Sequence, residues 1–238
     1  MFITQSANRA GIYLVRFFLN GQEMPVIIDD FLPVNNSTGK PAFAKCRDGE
    51  LWVSLLEKAW AKLHGTYARC SGGLPCFAAN HIMGVPAESY VHSEVKDPAH
   101  FYERIKSADR RSFTMIASTP GEGEVESALG LVSGHAYSLI SIHEFHGGYG
   151  PPLRLLKLRN PWGSGEWLGD WSDRSPLWTP ELKQQVGFVD RDDGIFFMTM
   201  EDYMANFERT AICVENNEAK YKHSQLYHTF SDDRSKPG

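Results

Sequence analysis

The sequence predicts an α+β fold in which a short hairpin-and-helix segment precedes a mostly antiparallel β lobe. Three observations lead there. Asn20-Gly21 separates two apolar runs, a pattern that specifies a tight hairpin turn. The segment from Gly49 to His64 carries the clearest helical apolar spacing. Beyond residue 113, strand-like runs recur with few helices between them.

Within residues 11–30, Ile12, Leu14 and Phe17 to Leu19 form the outgoing strand and Val26-Ile27-Ile28 the return. Phe31-Leu32-Pro33 and Asn35 to Gly39 follow as a loop. In the helix, Leu51, Trp52, Leu55, Leu56, Ala59, Trp60 and Leu63 share one face, and Gly65 stops it. Residues 70–90 carry Ser71-Gly72-Gly73, Pro75, Gly84 and Pro86 with little periodicity, which places a lobe boundary near Gly84. Asp97-Pro98 opens a second helix, with Asp as cap and Pro in the first turn. Strands are expected over Phe113–Ala117, Ala136–Ile142, Leu153–Leu158, Ile195–Met200 and Thr210–Val214, and a short helix from Thr179-Pro180-Glu181 to Gly187. The expected organisation is a first unit over 1–83, a second over 84–215 and a loose polar tail over 216–238.

Composition narrows the class. Of 238 residues, 42% are hydrophobic and 22% charged, ordinary values for a soluble globular protein. A formal charge of −5 gives no reason to expect a nucleic-acid partner, and no apolar run approaches the roughly 20 residues that span a bilayer. The N-terminus lacks the pattern of a signal peptide. Cys46, Cys70, Cys76 and Cys213 show neither CxxC spacing nor scaffold density, so free thiols and a cytoplasmic setting are expected.

The chemistry centres on Gly134-His135-Ala136-Tyr137 and, 25 residues after the histidine, Asn160 in Leu158-Arg159-Asn160-Pro161-Trp162-Gly163. A thiol nucleophile needs an imidazole to take its proton and later return it to the leaving amine. The imidazole in turn needs a neighbour that fixes its tautomer and ring angle. His135 starts one strand and Asn160 ends the next, so antiparallel pairing can bring them together, with Trp162 shielding the contact. A lone histidine here would read as a buried ring satisfied by a carbonyl, and Asn-Pro-Trp-Gly alone as a turn.

Together, these motifs resemble the histidine and asparagine motifs of the calpain protease core, within the papain-like superfamily. Ala10-Gly11-Ile12 with Val26 to Pro33, the helix from Leu51 to Lys62, Ser71-Gly72-Gly73, Glu166-Trp167 to Asp173, and Asp193-Gly194 to Met198 resemble further calpain landmarks in their order, covering roughly residues 10 to 214. The resemblance implies a papain-like calpain core with a truncated N-terminal lobe. It implies His135 as general base and acid, Asn160 as its orienter and Trp162 as packing shield. The resemblance also implies that the nucleophilic Cys and the Gln of the oxyanion hole lie in a missing segment of the N-terminal lobe; none of Cys46, Cys70 and Cys76 has the expected flanking residues. The implied function is calcium-dependent cysteine endopeptidase acting on cytosolic or cytoskeletal proteins, with this portion inactive alone. The competing class is a non-catalytic, calpain-like protein-binding module.

Glu166, Asp173 and Asp193 are hard oxygen donors, and the resemblance implies a Ca²⁺ site there, weakened because Ile195 stands where calpains usually carry another carboxylate. A solvated acidic loop is the alternative. Glu57 resembles a ligand of a second calcium site whose partners are missing. His143 and His146 lie on a strand and would not share a helical face, so no metal is expected there. Trp162, Trp167, Trp171 and Trp178 read as a tryptophan-rich loop beside the cleft rather than a stacking platform.

Overall fold

The computed structural model describes residues 1–6, 9–46, 49–147 and 150–215. Strands β1 (Ile12–Leu19) and β2 (Gln22–Asp29) form the hairpin, with Leu19 paired to Gln22. Asn20 and Gly21 both adopt positive φ, 51° and 74°, the turn that matches the strands' twist. Alternation sends Val15, Phe17, Val26 and Ile28 inward, against Leu55 and Ala59 of helix α1 (Trp52–His64). The helix starts three residues after the expected Gly49, leaving Leu51 and Trp52 exposed at its start, and it stops at Gly65, φ 103°.

Residues 70–90 depart from the expected breaker-rich loop. They contain helix α2 (Pro75–Met83) and strand β3 (Ala87–Val91). Pro75 occupies the first helical turn, where its missing N–H is harmless, and Gly84 is the left-handed C-cap. A Cβ at Gly84 would lie 2.6 Å from the Phe18 ring, so this glycine also seats α2 on β1.

The larger sheet has six antiparallel strands in the order β3-β8-β4-β5-β6-β7. Its remaining members are β4 (Met115–Ser118), β5 (Ala136–Phe145), β6 (Leu153–Arg159), β7 (Ile195–Thr199) and β8 (Arg209–Cys213). Helix α3 (Pro98–Arg110) begins as expected, Asp97 Oδ1 accepting the His100 N–H at 3.0 Å. It packs Phe101, Tyr102 and Ile105 onto one face of the sheet, against Leu156, Leu158, Phe196 and Met198. Burying each such side chain contributes about 1.5–3 kcal/mol. On the other face, Leu155 and Phe197 meet Trp171 and Val186 of helix α4 (Pro180–Val186), capped by Thr179. Helix α5 (Met200–Asn206) was not expected; Thr199 caps it by accepting the Asp202 N–H at 3.0 Å. Trp171 and Trp178 meet edge to face at 5.0 Å, and Trp167 is buried in the main core, so these three rings are structural. The expected polar tail, 216–238, lies outside the described residues. All four cysteines are free thiols, and no helix among the described residues is long and apolar enough to cross a membrane.

Candidate active site

Pairing of β5 with β6 places Ser138 opposite Arg159, so His135, one residue before β5, meets Asn160, one residue beyond β6. His135 Nε2 lies 3.0 Å from Asn160 Oδ1. Both residues are buried, at 7% and 0% exposure. The orientation of the amide follows from its other contacts. Oδ1 accepts the Trp162 N–H at 3.1 Å, while Nδ2 donates to the Gly165 carbonyl at 3.2 Å. The atom facing His135 is therefore an acceptor, and Nε2 must carry a hydrogen. In the neutral ring the lone pair then sits on Nδ1, the atom able to take a proton.

The backbone around Asn160 is held equally closely. Its N–H donates to the Gly194 carbonyl at 2.8 Å and its carbonyl accepts from the Gly163 N–H at 3.0 Å. Gly194 has φ 81°, and a Cβ there would stand 2.8 Å from the Asn160 oxygen. The Trp162 ring sits 4.7 Å from the His135 ring and remains 46% exposed, covering one side of the imidazole while facing solvent. Tyr137 closes another side edge-on at 5.1 Å.

Two contributors escaped the sequence reading. The buried Thr119 hydroxyl accepts the His135 N–H at 3.0 Å and donates to the Val132 carbonyl at 2.6 Å, fixing the histidine backbone from the end of β4. A threonine sixteen residues upstream gives no signal until β4 and β5 are known to pair. Glu124 Oε1 lies 3.2 Å from His135 Nδ1. Its only signal is the glycine-rich stretch Pro120-Gly121-Glu122-Gly123 before the histidine motif.

Glu166, Asp173 and Asp193 lie on neighbouring loops but are engaged locally. Glu166 Oε1 accepts the N–H groups of Asp193 and Gly194 at 3.0 and 2.9 Å. Asp193 pairs with Arg191 at 2.8 Å and accepts the Ile195 N–H at 3.1 Å. Among the described residues, no three His, Cys, Asp or Glu side chains are gathered so as to hold a metal ion. The three carboxylates thus stand as separate local acceptors, Asp173 taking the Arg191 N–H at 3.4 Å. They are nevertheless crowded. Burial, then the charges of Asp190 and Asp193, push the Asp173 carboxyl up to about 6, and burial and Asp173 raise Glu166. Glu57 accepts the Ala44 N–H at 2.8 Å; His143 contacts Ser141 Oγ at 2.9 Å, and His146 contacts Glu144 at 3.0 Å.

Two of the four thiols are held in the protonated form more firmly than a free cysteine. Burial pushes the Cys213 thiol up to about 11, and burial followed by the Glu57 charge raises Cys70. Cys70 shares the wall of a 660 Å³ cavity with Ala136, between α1–α2 and the start of β5.

A profile described as calpain family cysteine protease matches residues 2–214. The chain belongs to the calpain family. It is 36% identical over 96% of its length to the calpain-type cysteine protease DEK1 of Arabidopsis thaliana, of which it spans 11%. It is also 36% identical to rat calpain-9 over 86% of its length and to calpain-A of Drosophila melanogaster over 87%, spanning 30% and 26% of those proteins. The chain thus covers less than a third of these calpains.

Proposed function

We propose that this chain supplies the base and orienting half of a calpain-type cysteine endopeptidase that cuts proteins through an acyl-thioester. The buried His135–Asn160 contact carries this reading. Asn160 holds the ring with Nε2–H donating, so Nδ1 takes the proton of an incoming thiol, returns it to the leaving amine and then takes one from the deacylating water. The imidazolium formed in each half-reaction is stabilised by the Asn160 oxygen in a site where the ring is shielded from water.

The thiol comes from a further segment of the complete polypeptide, seated in the cavity walled by Leu56, Trp60, Phe77 and Ala136. The buried ring nitrogens His64 Nε2 and His81 Nδ1, which have no hydrogen-bond partner among the described residues, support such an occupant. Cytosolic or cytoskeletal proteins are the proposed substrates, and the cytoplasm the proposed location. The test is a cysteine-directed peptide epoxide applied to the complete polypeptide. Labelling at a cysteine outside these 238 residues, abolished by His135→Ala, is the expected result. Cleavage by the 238-residue chain itself, lost on replacing Cys46, Cys70 or Cys76, contradicts it. Absence of labelling in the complete polypeptide favours the non-catalytic binding module.

We further propose that Ca²⁺ acts on the loops of Glu166, Asp173 and Asp193 by relieving their mutual repulsion, after these carboxylates regroup. Asp173 has a raised folded-state value, about 6 against 3.8, so the native chain binds the extra proton between these values and stability rises as pH falls from about 6 to 4. Asp173→Asn should flatten that dependence and raise the neutral-pH Tm by about 2–4 °C, roughly 1 kcal/mol after solvent screening. Millimolar Ca²⁺ should raise the wild-type Tm and have less effect on the variant. No Ca²⁺ response alongside a stabilised Asp173→Asn would leave the repulsion real and remove the cation.

A further inference from the structure

We propose that Glu124 is a positioning residue whose carboxylate occupies the working nitrogen of His135 and must withdraw before a thiolate can take its place. This rests on the base role assigned to His135 above. The imidazole has two nitrogens, and Asn160 holds one of them, Nε2, at 3.0 Å. The other, Nδ1, faces Glu124 Oε1 at 3.2 Å. An ionised carboxylate only accepts hydrogen bonds, so the contact becomes a hydrogen bond only when the ring donates from both nitrogens. That is the protonation state of a ring beside a thiolate. Glu124 therefore presents a negative charge to the same nitrogen that a thiolate would face.

The loop is built to deliver this contact. Ser133, two residues before His135, clamps the residues on either side of Glu124. Its hydroxyl donates to the Gly123 carbonyl at 2.7 Å and accepts the Val125 N–H at 3.2 Å, while its own N–H donates to the Val125 carbonyl at 2.9 Å. Gly134 N–H holds the Pro120 carbonyl at 3.0 Å, and Glu126 bridges to Val132. The peptide immediately before the base thus sets the position of the carboxylate. A Cβ at Gly134 would come within 2.9 Å of the Gly121 oxygen, so the glycine of the histidine motif is what lets this loop approach.

The same loop can let the carboxylate go. The Glu124 side chain is 57% exposed, and Gly121 and Gly123 lie just before it with φ of 102° and 75°. Rotation of the side chain alone, with the Ser133 clamp intact, moves the charge into water. Two anions cannot share one N–H at contact distance, so thiolate arrival and Glu124 departure are a single exchange.

Side-chain ¹⁵N NMR on the 238-residue chain at neutral pH, comparing wild type with Glu124→Gln, reads the contact. The Nδ1 resonance should move toward that of an unprotonated ring nitrogen while Nε2 stays in place. In the complete protease, Glu124→Gln should raise the rate of active-site thiol alkylation and kcat by about 2–5-fold, the size of a half-exposed charge pair, with KM little changed. Glu124→Asp, one methylene shorter, should behave like Gln. If His135→Ala keeps wild-type activity, the base assignment falls. If His135→Ala is inactive and Glu124→Gln equals wild type in either the Nδ1 resonance or the alkylation rate, the role of Glu124 falls.

Discussion

Gly130→Ala is expected to lower the stability of the chain by about 3–4 kcal/mol, or roughly 6–15 °C in Tm. Gly130 sits at the tip of a tight loop, with φ 79°, its N–H donating to the Ser127 carbonyl at 3.0 Å. A Cβ there would overlap the Glu166 carbonyl oxygen, and Leu168 Cγ would be 3.0 Å away. Neither neighbour can retreat cheaply, because Leu168 N–H is bonded to the Leu129 carbonyl at 2.9 Å and Glu166 holds the turn at Gly194. Gly123→Ala is the control. Its φ is 75° but nothing lies within 4 Å of the new methyl, so only the backbone preference, about 1 kcal/mol, should be lost. Thermal unfolding of the two variants separates strain in the backbone from overlap between loops. Equal losses would contradict the overlap.

The second large effect is expected at Asn160. Asn160→Ala removes a fully buried amide that joins His135, Trp162 and Gly165. Its loss removes the acceptor of the His135 Nε2–H and of the Trp162 N–H and the donor to the Gly165 carbonyl. The buried His135 Nε2–H so abandoned costs about 1–3 kcal/mol and the two part-buried groups add less, for an expected total of about 3 kcal/mol. Asn160→Asp tests whether the charge of the group matters beyond its shape. It keeps the acceptor toward Nε2 but turns the donor toward Gly165 into an acceptor facing a carbonyl oxygen, so it should also destabilise, by less than Ala. In the complete protease, both should depress kcat more than they raise KM, since the contact orients the base rather than the substrate. A stable Asn160→Ala with wild-type kcat would show that Thr119 alone fixes the histidine.

How much of this was legible in the sequence depended on whether the signal was local. Asn20-Gly21 specifies its hairpin because both residues tolerate positive φ, and Asp97-Pro98 specifies a helix start because cap and ring geometry act within one turn. The same local punctuation misled around residues 70–90. Pro75 and Gly84 look like breakers within a loop, yet they mark the first turn and the C-cap of α2, whose nine residues are too few to show clear periodicity. Helix α5 was hidden for the same reason, seven residues continuing directly from a strand. At the candidate site, His135 and Asn160 were legible as a spaced pair, whereas Thr119 and Glu124 depend on the pairing of β4 with β5 and on the fold of the 120–134 loop. The carboxylates Glu166, Asp173 and Asp193 were legible as neighbours but not as local acceptors for Gly194, Arg191 and Ile195 N–H groups.

The β5–β6 pair has its two ends assigned to different tasks. The His135–Asn160 contact closes one end, and the Phe145–Leu153 pair closes the other, ten strand residues or about 30 Å away. Between them runs a ladder that already contains one irregularity, between Leu139 and Ser141, without disturbing the contact. The end of the ladder at Phe145 and Leu153 is thus a place for a reporter. A fluorophore-bearing peptide or an affinity handle spliced there would ride on the same rigid hairpin as the histidine and report on it from a distance, leaving its alignment untouched.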